Sequence, residues 1–208
     1  MSENTPTSSS GDSPIDVDEF MTASYLIPAR KSVVELLEAD KEDESLRKYK
    51  ETLLPAEDGP IVVDPSNPNN VIVKRISLVV DGEVKHSMDL PASTDFTFSV
   101  KEGCAYKIRF EFHVQREIVS GLKYLHKVTR LGIAVTKECY MLGSFAPRHE
   151  IYCCDTPLEE APSGQFLTLR IYLGIISRGK YRVRSLISDD DKNRWLEWSW
   201  NIDIDKNW

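Results

Sequence analysis

The sequence predicts an all-β protein, an antiparallel two-sheet sandwich preceded by a flexible, partly helical amino-terminal arm. In Tyr106–Val114 every even position is apolar and every odd position is polar, as in a half-buried strand. The same alternation returns from Leu196 to Ile204. Turn signals divide the carboxy-terminal part of the chain into about seven to nine short segments, which is typical of a sandwich.

The arm differs from the body in charge. Residues 1–60 contain 14 Asp/Glu and 6 Lys/Arg, whereas 61–208 contain 19 acidic and 20 basic residues. Residues 1–24 are acidic and Ser-rich, and we expect a disordered tail there because its first 14 residues bury too little apolar surface. An acidic segment of this kind is either a solvated tail or a docking element for a basic partner.

Two short helices are expected in the arm, which we assign to residues 25–60. Ser32 and Glu35 form a capping box for a helix from Val33 to about Ala39. Asp40 or Asp43 can cap a second helix through Glu44–Glu51. Helices this short are marginal alone in water, so the pair is expected to order as a hairpin on a partner.

The sandwich is assigned to residues 61–208, and its expected strands follow in order: Val71–Val80, Phe96–Val100, Tyr106–Val114, Ile118–Thr129, Ile133–Val135, His149–Cys153, Leu169–Ile176, Tyr181–Ile187 and Leu196–Ile204. Turns are expected at Asp81-Gly82, Glu102-Gly103, Leu131-Gly132, Gly143-Ser144, Pro162-Ser163-Gly164 and Arg178-Gly179. Many aromatic side chains of these strands can point between the sheets. Periodicity alone does not separate a filled core from a lined lipid pocket.

Composition excludes several classes of function. A pI of about 5.2 and a net charge of −7 disfavour binding to nucleic acid. No apolar run reaches the ~18 residues that cross a bilayer, and the first residues do not form a secretory signal. Four cysteines without a CxxC pair favour a reducing compartment, and we expect the cytosol. No nucleophile, metal-ligand or phosphate-loop motif is present, so we expect neither an enzyme nor a cofactor or metal.

Several long segments resemble one family, the Rho GDP-dissociation inhibitors, over about Tyr25 to Trp208. The matching segments are Asp43-Glu44-Ser45-Leu46-Arg47-Lys48-Tyr49-Lys50, Arg116-Glu117-Ile118-Val119-Ser120-Gly121-Leu122-Lys123-Tyr124, Tyr140-Met141-Leu142-Gly143-Ser144-Phe145-Ala146-Pro147-Arg148, Thr156-Pro157-Leu158-Glu159-Glu160-Ala161-Pro162, Asp189-Asp190-Asp191-Lys192 and Trp198-Ser199-Trp200-Asn201.

The resemblance implies an immunoglobulin-like sandwich that binds prenylated Rho/Rac-family small GTPases one to one, as a monomer that meets membrane surfaces only transiently. The arm would hold the nucleotide-sensing loops and block GDP release, and the geranylgeranyl group would enter the sandwich. By position, the GTPase-binding residues would be Tyr25, Asp43, Ser45, Leu46, Tyr49, Asp190 and Asp191. The prenyl pocket would be lined by Leu78, Phe98, Tyr106, Ile118, Val183 and Trp200. Ser32 matches a regulatory phosphorylation position.

The chain departs from the family pattern in three places. Residues 165–177 form an apolar insert, either a strand extension near the pocket mouth or the product of a splicing or gene-model artefact. Lys180 replaces a phosphorylatable serine, and the first twenty residues have no counterpart. The alternative function is a general prenyl or lipid carrier of the same sandwich class, in which the arm plays no part.

Overall fold

The computed structural model describes residues 15–17, 20, 60–91, 96–161 and 178–207. The two helices expected in the arm and the strand expected at Leu169–Ile176 lie outside these ranges, as do most of the residues assigned to the arm. The described part contains ten strands: β1 (Val71–Val80), β2 (Glu83–Asp89), β3 (Thr97–Lys101), β4 (Ala105–Val114), β5 (Val119–Arg130), β6 (Ile133–Phe145), β7 (Tyr152–Asp155), β8 (Glu159–Glu160), β9 (Gly179–Ser188) and β10 (Arg194–Asp205).

The strands form two sheets, which confirms the predicted all-β sandwich. The first sheet has the order β2-β1-β4-β7, with β8 also paired to β4. The second sheet has the order β3-β10-β9-β5-β6. Neighbouring strands are antiparallel except β3 and β10, which are parallel. After β2 the chain crosses from the first sheet to the edge of the second sheet. There β3 pairs with β10, the last strand of the chain, and runs in the same direction.

Alternating residues of both sheets fill the space between them. All five even-numbered residues of Tyr106–Val114 are buried, as the period-two pattern predicts. From β10 the buried side chains are Trp198, Trp200, Ile202 and Ile204. Phe98 of β3 packs edge-on against Trp200, with ring centroids 5.0 Å apart. Burial of the apolar surface of this core, aliphatic and aromatic, is the main favourable contribution to the stability of the sandwich.

Two hairpin turns are confirmed. Asp81 and Gly82 connect β1 to β2 with φ values of 52° and 82°, and Leu131 and Gly132 connect β5 to β6 with 48° and 80°. Positive φ at both central residues suits the right-handed twist of the paired strands. Glycine takes this conformation without steric cost, which explains its place at the second position of each turn.

Three sequence predictions about strands were wrong. The edge strand β2 was missed because its residues are mostly polar and exposed. Strand β6 runs to Phe145 rather than Val135, so that Gly143-Ser144 lies within a strand at a register shift and not in a turn. The strand expected at His149–Cys153 begins only at Tyr152, because His149 and Glu150 form a bend before pairing with β4 starts.

Part of the expected amino-terminal tail is packed against the sandwich. Ile15 and Val17 are buried, with Phe20 beside them, on Leu125 and Leu186 of the second sheet. This differs from our expectation of disorder through residue 24. The sequence predicted no contact with the sandwich because the amino-terminal segment contains few apolar residues. Three of these residues nevertheless pack on the patch formed by Leu125 and Leu186.

Candidate functional site: an interior cavity and an acidic turn

A cavity of about 370 Å³ opens between the two sheets. Pockets of ~300–1,000 Å³ are the size that holds small organic ligands. Most of its walls are aliphatic or aromatic. The lining residues are Val100, Tyr106, His126, Val128, Val135, Thr136, Glu138, Tyr140, Leu158, Glu159, Ala161, Tyr181, Ile202 and Ile204.

Strand alternation explains why these side chains meet. Val128 of β5, Tyr181 of β9 and Ile202 of β10 occupy inward-facing positions of the second sheet, and Tyr181 is the direct cross-strand partner of Ile202. Tyr106 of β4 faces them from the first sheet, where it pairs with Glu159 of β8. The cavity therefore lies where the short strand β8 ends the first sheet.

One corner of the cavity is polar. The Tyr106 hydroxyl donates a hydrogen bond to Glu159 Oε2 at 2.8 Å. Burial raises the pKa of the Glu159 carboxyl, while hydrogen bonds from the hydroxyls of Tyr106 and Tyr140 act in the opposite direction. Burial likewise raises the pKa of both tyrosines, with the nearby Glu159 charge adding to the effect. The phenols are therefore neutral donors at physiological pH.

His126 is a second polar group on the cavity wall. Its side chain is buried, and burial lowers its pKa to about 4, so the imidazole is neutral near pH 7. Its Nδ1 atom is buried without a hydrogen-bond partner among the described residues. A neutral ring beside Tyr124 and Tyr140 suits an apolar ligand better than a charged one.

The residues predicted to line the prenyl pocket are not all at this cavity. Tyr106 borders it, whereas Leu78, Phe98, Val183 and Trp200 are buried in the adjoining core. Val183 and Trp200 lie in the same cross-strand row as the cavity residue Val128. Ile118 is partly exposed, just before β5.

A buried hydrogen-bond network fixes the core beside the cavity. Ser185 Oγ accepts a hydrogen bond from the Trp200 indole Nε1 at 2.9 Å and shares another with the Tyr124 hydroxyl at 2.9 Å. All three side chains are almost completely inaccessible to solvent. The network satisfies two large polar aromatic groups that would otherwise be buried at a cost.

The acidic turn between β9 and β10 is held by its own side chains. Asp189 accepts hydrogen bonds from the backbone and side-chain nitrogens of Asn193 and from the Trp195 indole. Asp190 pairs with the buried Lys123 at 3.0 Å and lies directly over Gly121. Asp189 therefore holds the turn together by hydrogen bonds within it. Asp190 and Asp191, which we predicted to contact the GTPase, lie on this turn.

Several predicted site residues fall outside the described ranges, namely Tyr25, Ser32, Asp43, Ser45, Leu46 and Tyr49. The sequence reasoning in turn missed Tyr140, Glu159 and Tyr181 as cavity residues. The alternation of β9 could have predicted that Tyr181 faces inward. Glu159 could not be predicted in this way, because it reaches the cavity from the two-residue strand β8, which is too short to show a period.

Across residues 15–17, 20, 60–91, 96–161 and 178–207, no cluster of three His, Cys, Asp or Glu side chains is arranged to hold a metal ion. In the same part of the chain no helix is long and apolar enough to span a bilayer. The described residues form a β-sandwich with an interior cavity and an acidic turn fixed on its surface.

These features define a class of two-sheet β-sandwich protein with an interior cavity and an acidic turn. A family model described as RHO protein GDP dissociation inhibitor matches residues 13–207. The chain belongs to this family. The family description is that of an inhibitor rather than an enzyme, and the match begins within the first twenty residues, which we expected to have no counterpart.

Individual relatives are similar over most of their length. A probable rho GDP-dissociation inhibitor of Caenorhabditis elegans is 49% identical over 187 residues, covering 88% of this chain and 92% of the relative. Rho GDP-dissociation inhibitor 1 of Rattus norvegicus is 43% identical over 194 residues, covering 90% and 88%. Rho GDP-dissociation inhibitor 3 of Homo sapiens is 41% identical over 205 residues, covering 94% and 84%.

Proposed function

We propose that the protein is a cytosolic Rho GDP-dissociation inhibitor that binds prenylated Rho/Rac-family GTPases one to one, as a monomer. It slows GDP release and extracts the GTPase from membranes. The single observation that carries the proposal is the interior cavity of about 370 Å³, with an aliphatic and aromatic wall and one polar corner, inside a sandwich of this family. A geranylgeranyl group is an apolar ligand of the kind that such a cavity takes.

The cavity is proposed as the entrance for the prenyl chain. Tyr106, Val128 and Ile202 present the first apolar surface, and the neighbouring core around Phe98 and Trp200 is where a longer chain would continue. Leu78, Val183 and Ile118 complete the proposed prenyl contacts. At ~0.8 kcal/mol per CH₂, burying most of a twenty-carbon chain is worth on the order of 10 kcal/mol.

The lipid alone does not decide extraction, because the bilayer offers the chain a comparable transfer free energy. Contacts between protein surfaces must favour the soluble complex. We assign them to the arm through Tyr25, Asp43, Ser45, Leu46 and Tyr49, and to the acidic turn through Asp190 and Asp191. A phosphate on Ser32 adds negative charge to an acidic arm and is expected to loosen the complex.

The β5–β6 hairpin is proposed to make the transient contact with the membrane. Its tip residues Leu131 and Ile133 are 94% and 63% exposed. Val135 and Thr136, two and three residues beyond Ile133, already line the cavity. Exposed apolar side chains so close to a proposed lipid site can enter the bilayer interface while the prenyl group transfers.

Sedimentation of liposomes carrying a prenylated Rho or Rac protein tests the function. The wild-type chain should move the GTPase into the supernatant and slow release of a fluorescent GDP analogue. Trp200→Asp, which places a charge beside the cavity, and Asp43→Ala should each weaken extraction, whereas Val84→Ser on the exposed strand β2 should not. The proposal fails if both of the first two variants extract as well as the wild type.

Two further variants separate the alternatives. Deleting residues 1–60 should abolish inhibition and extraction, whereas a general lipid carrier would keep its extraction activity. Deleting residues 165–177 should leave activity intact if the insert is a tolerated surface extension, and should increase activity if the insert obstructs the cavity. The family match and the named relatives favour the inhibitor over the carrier.

A further inference from the structure

Three apolar residues of the amino-terminal segment Ile15–Phe20, namely Ile15, Val17 and Phe20, pack on the outward face of the second sheet. Leu125 of β5 and Leu186 of β9 are direct cross-strand partners on this face, and both are fully buried. Outward positions of a sandwich are normally polar, so this leucine pair is an exception to the alternation. Ile15, Val17 and Phe20 supply the apolar surface that covers it.

Polar groups hold the backbone of the same segment. The Ile15 amide donates a hydrogen bond to Glu197 Oε1 at 3.3 Å, and Arg194 Nη1 donates to the Ile15 carbonyl at 2.8 Å. Glu197 also accepts hydrogen bonds from Arg194 and Arg184. Burial raises the pKa of the Glu197 carboxyl, but the hydrogen bonds from the two arginines outweigh it and the pKa is lowered overall.

The charges of segment and face are complementary. The segment contains Asp16, Asp18 and Glu19 and no basic residue. The outward row next to the leucine pair is formed by Lys127 and Arg184, which face each other across β5 and β9. Two cations opposite each other are unfavourable unless acidic groups compensate for them, and Glu197 already pairs with Arg184 at 2.8 Å. An acidic segment is compatible with the charge of this face, and the apolar contacts of Ile15 and Val17 carry the docking.

The chain is also fixed where the assigned arm ends. Gln115 is completely buried, and its Oε1 accepts hydrogen bonds from the amides of Val63 and Asp64 at 3.0 and 2.9 Å. Its Nε2 donates to the carbonyls of Asn67 and Asn69. In addition, the Arg116 amide donates to the Ile61 carbonyl at 2.7 Å. The chain therefore contacts the sandwich at Ile15 and Val17 and again from Ile61 onward.

We infer that Ile15–Phe20 is an anchor that docks on the Leu125/Leu186 patch and turns the GTPase-binding arm into a loop tethered at both ends. This inference rests on the proposed function for its consequence but not for the contact itself. A segment tethered at both ends has fewer conformations to lose when it orders on a partner than a free tail has. The anchor thereby strengthens binding of the GTPase without touching it.

The contact is tested first, in the full chain without a GTPase. Nuclear Overhauser effects are expected between the methyl groups of Ile15 or Val17 and those of Leu125 or Leu186. The methyl resonances of Leu125 and Leu186 should shift in the double variant Ile15→Ser/Val17→Ser, because the patch loses its cover, and stay in place in Val84→Ser, a matched apolar-to-serine change at an exposed position of β2. Neither variant changes the net charge. Absence of the nuclear Overhauser effects in the wild type overturns the inference.

The consequence is tested with a prenylated Rho or Rac protein loaded with a fluorescent GDP analogue. The dissociation constant should rise about threefold to tenfold in the double serine variant, as expected when a tether is lost, and should stay unchanged in Val84→Ser. An unchanged or lower dissociation constant in the double variant overturns the affinity effect. If the wild type binds no GTPase, the proposed function fails and the affinity effect with it, while the nuclear Overhauser effects still decide whether the anchor exists.

Discussion

Replacing Gly121 by alanine tests how the acidic turn is positioned. Gly121 has a φ of 60°, and a Cβ atom there would overlap the carboxylate of Asp190. An L-residue in this conformation costs ~1–2 kcal/mol. Displacing Asp190 also leaves Lys123, whose side chain is 5% exposed, without its ion-pair partner. Removing one partner of a buried pair costs ~3–5 kcal/mol, and because Asp190 is partly exposed we use the lower end.

The sum predicts that Gly121→Ala lowers the free energy of unfolding by about 4 kcal/mol. Gly82→Ala is the matched control, because Gly82 also has a positive φ but nothing lies within 4 Å of its would-be Cβ. It should cost only the ~1–2 kcal/mol of backbone strain. Guanidinium chloride denaturation followed by tryptophan fluorescence measures both values. Equal losses in the two variants would refute the role given to Asp190 in holding the turn.

Three other predictions concern groups inside or beside the sandwich. His126 has a pKa of about 4 in the folded protein and ~6.5 in the unfolded chain. Because the unfolded chain binds the proton more tightly, the free energy of unfolding should fall by about 3 kcal/mol as the pH drops from 6.5 to 4. His126→Gln should flatten the pH dependence of unfolding in that window. Ser185→Ala should lower the free energy of unfolding by about 2–4 kcal/mol, because it removes the partner of both Tyr124 and Trp200; a loss below 1 kcal/mol in urea denaturation would contradict the network. Gln115→Leu should destabilise by about 3 kcal/mol or more and speed amide hydrogen exchange at Val63 and Asp64, whose donors lose their acceptor; unchanged exchange there would refute the tether.

Strand alternation accounts for most of the fold that the sequence could predict. A period of two is a local signal, and it placed β4, β9 and β10 correctly because their inward residues are nearly all apolar. It failed at β2, where both faces are largely solvated and the pairing with β1 comes from the hairpin turn. It also failed at β6, whose inward and outward residues are partly exposed alike.

The cavity could be predicted less well than the core. Alternation assigns Tyr106 and Trp200 to the interior equally, yet only Tyr106 borders the cavity. The difference depends on where the first sheet ends, which is set by the long-range pairing of Glu159 with Tyr106. The anchor at Ile15 was missed for a similar reason, since its partner Leu186 is distant in sequence.

The proposed mechanism places regulation in weak contacts rather than in the lipid site. Transfer of the prenyl chain from bilayer to cavity exchanges one apolar environment for another, so its two large free energies nearly cancel. The position of the equilibrium is then set by the remaining surface contacts. A change of about 1.4 kcal/mol in their free energy changes the equilibrium constant for extraction tenfold. We expect a phosphate on Ser32, or release of Ile15 from its patch, to act on that scale. In the proposed mechanism the cavity and the arm therefore have separable roles, since the cavity makes extraction possible and the arm makes it adjustable.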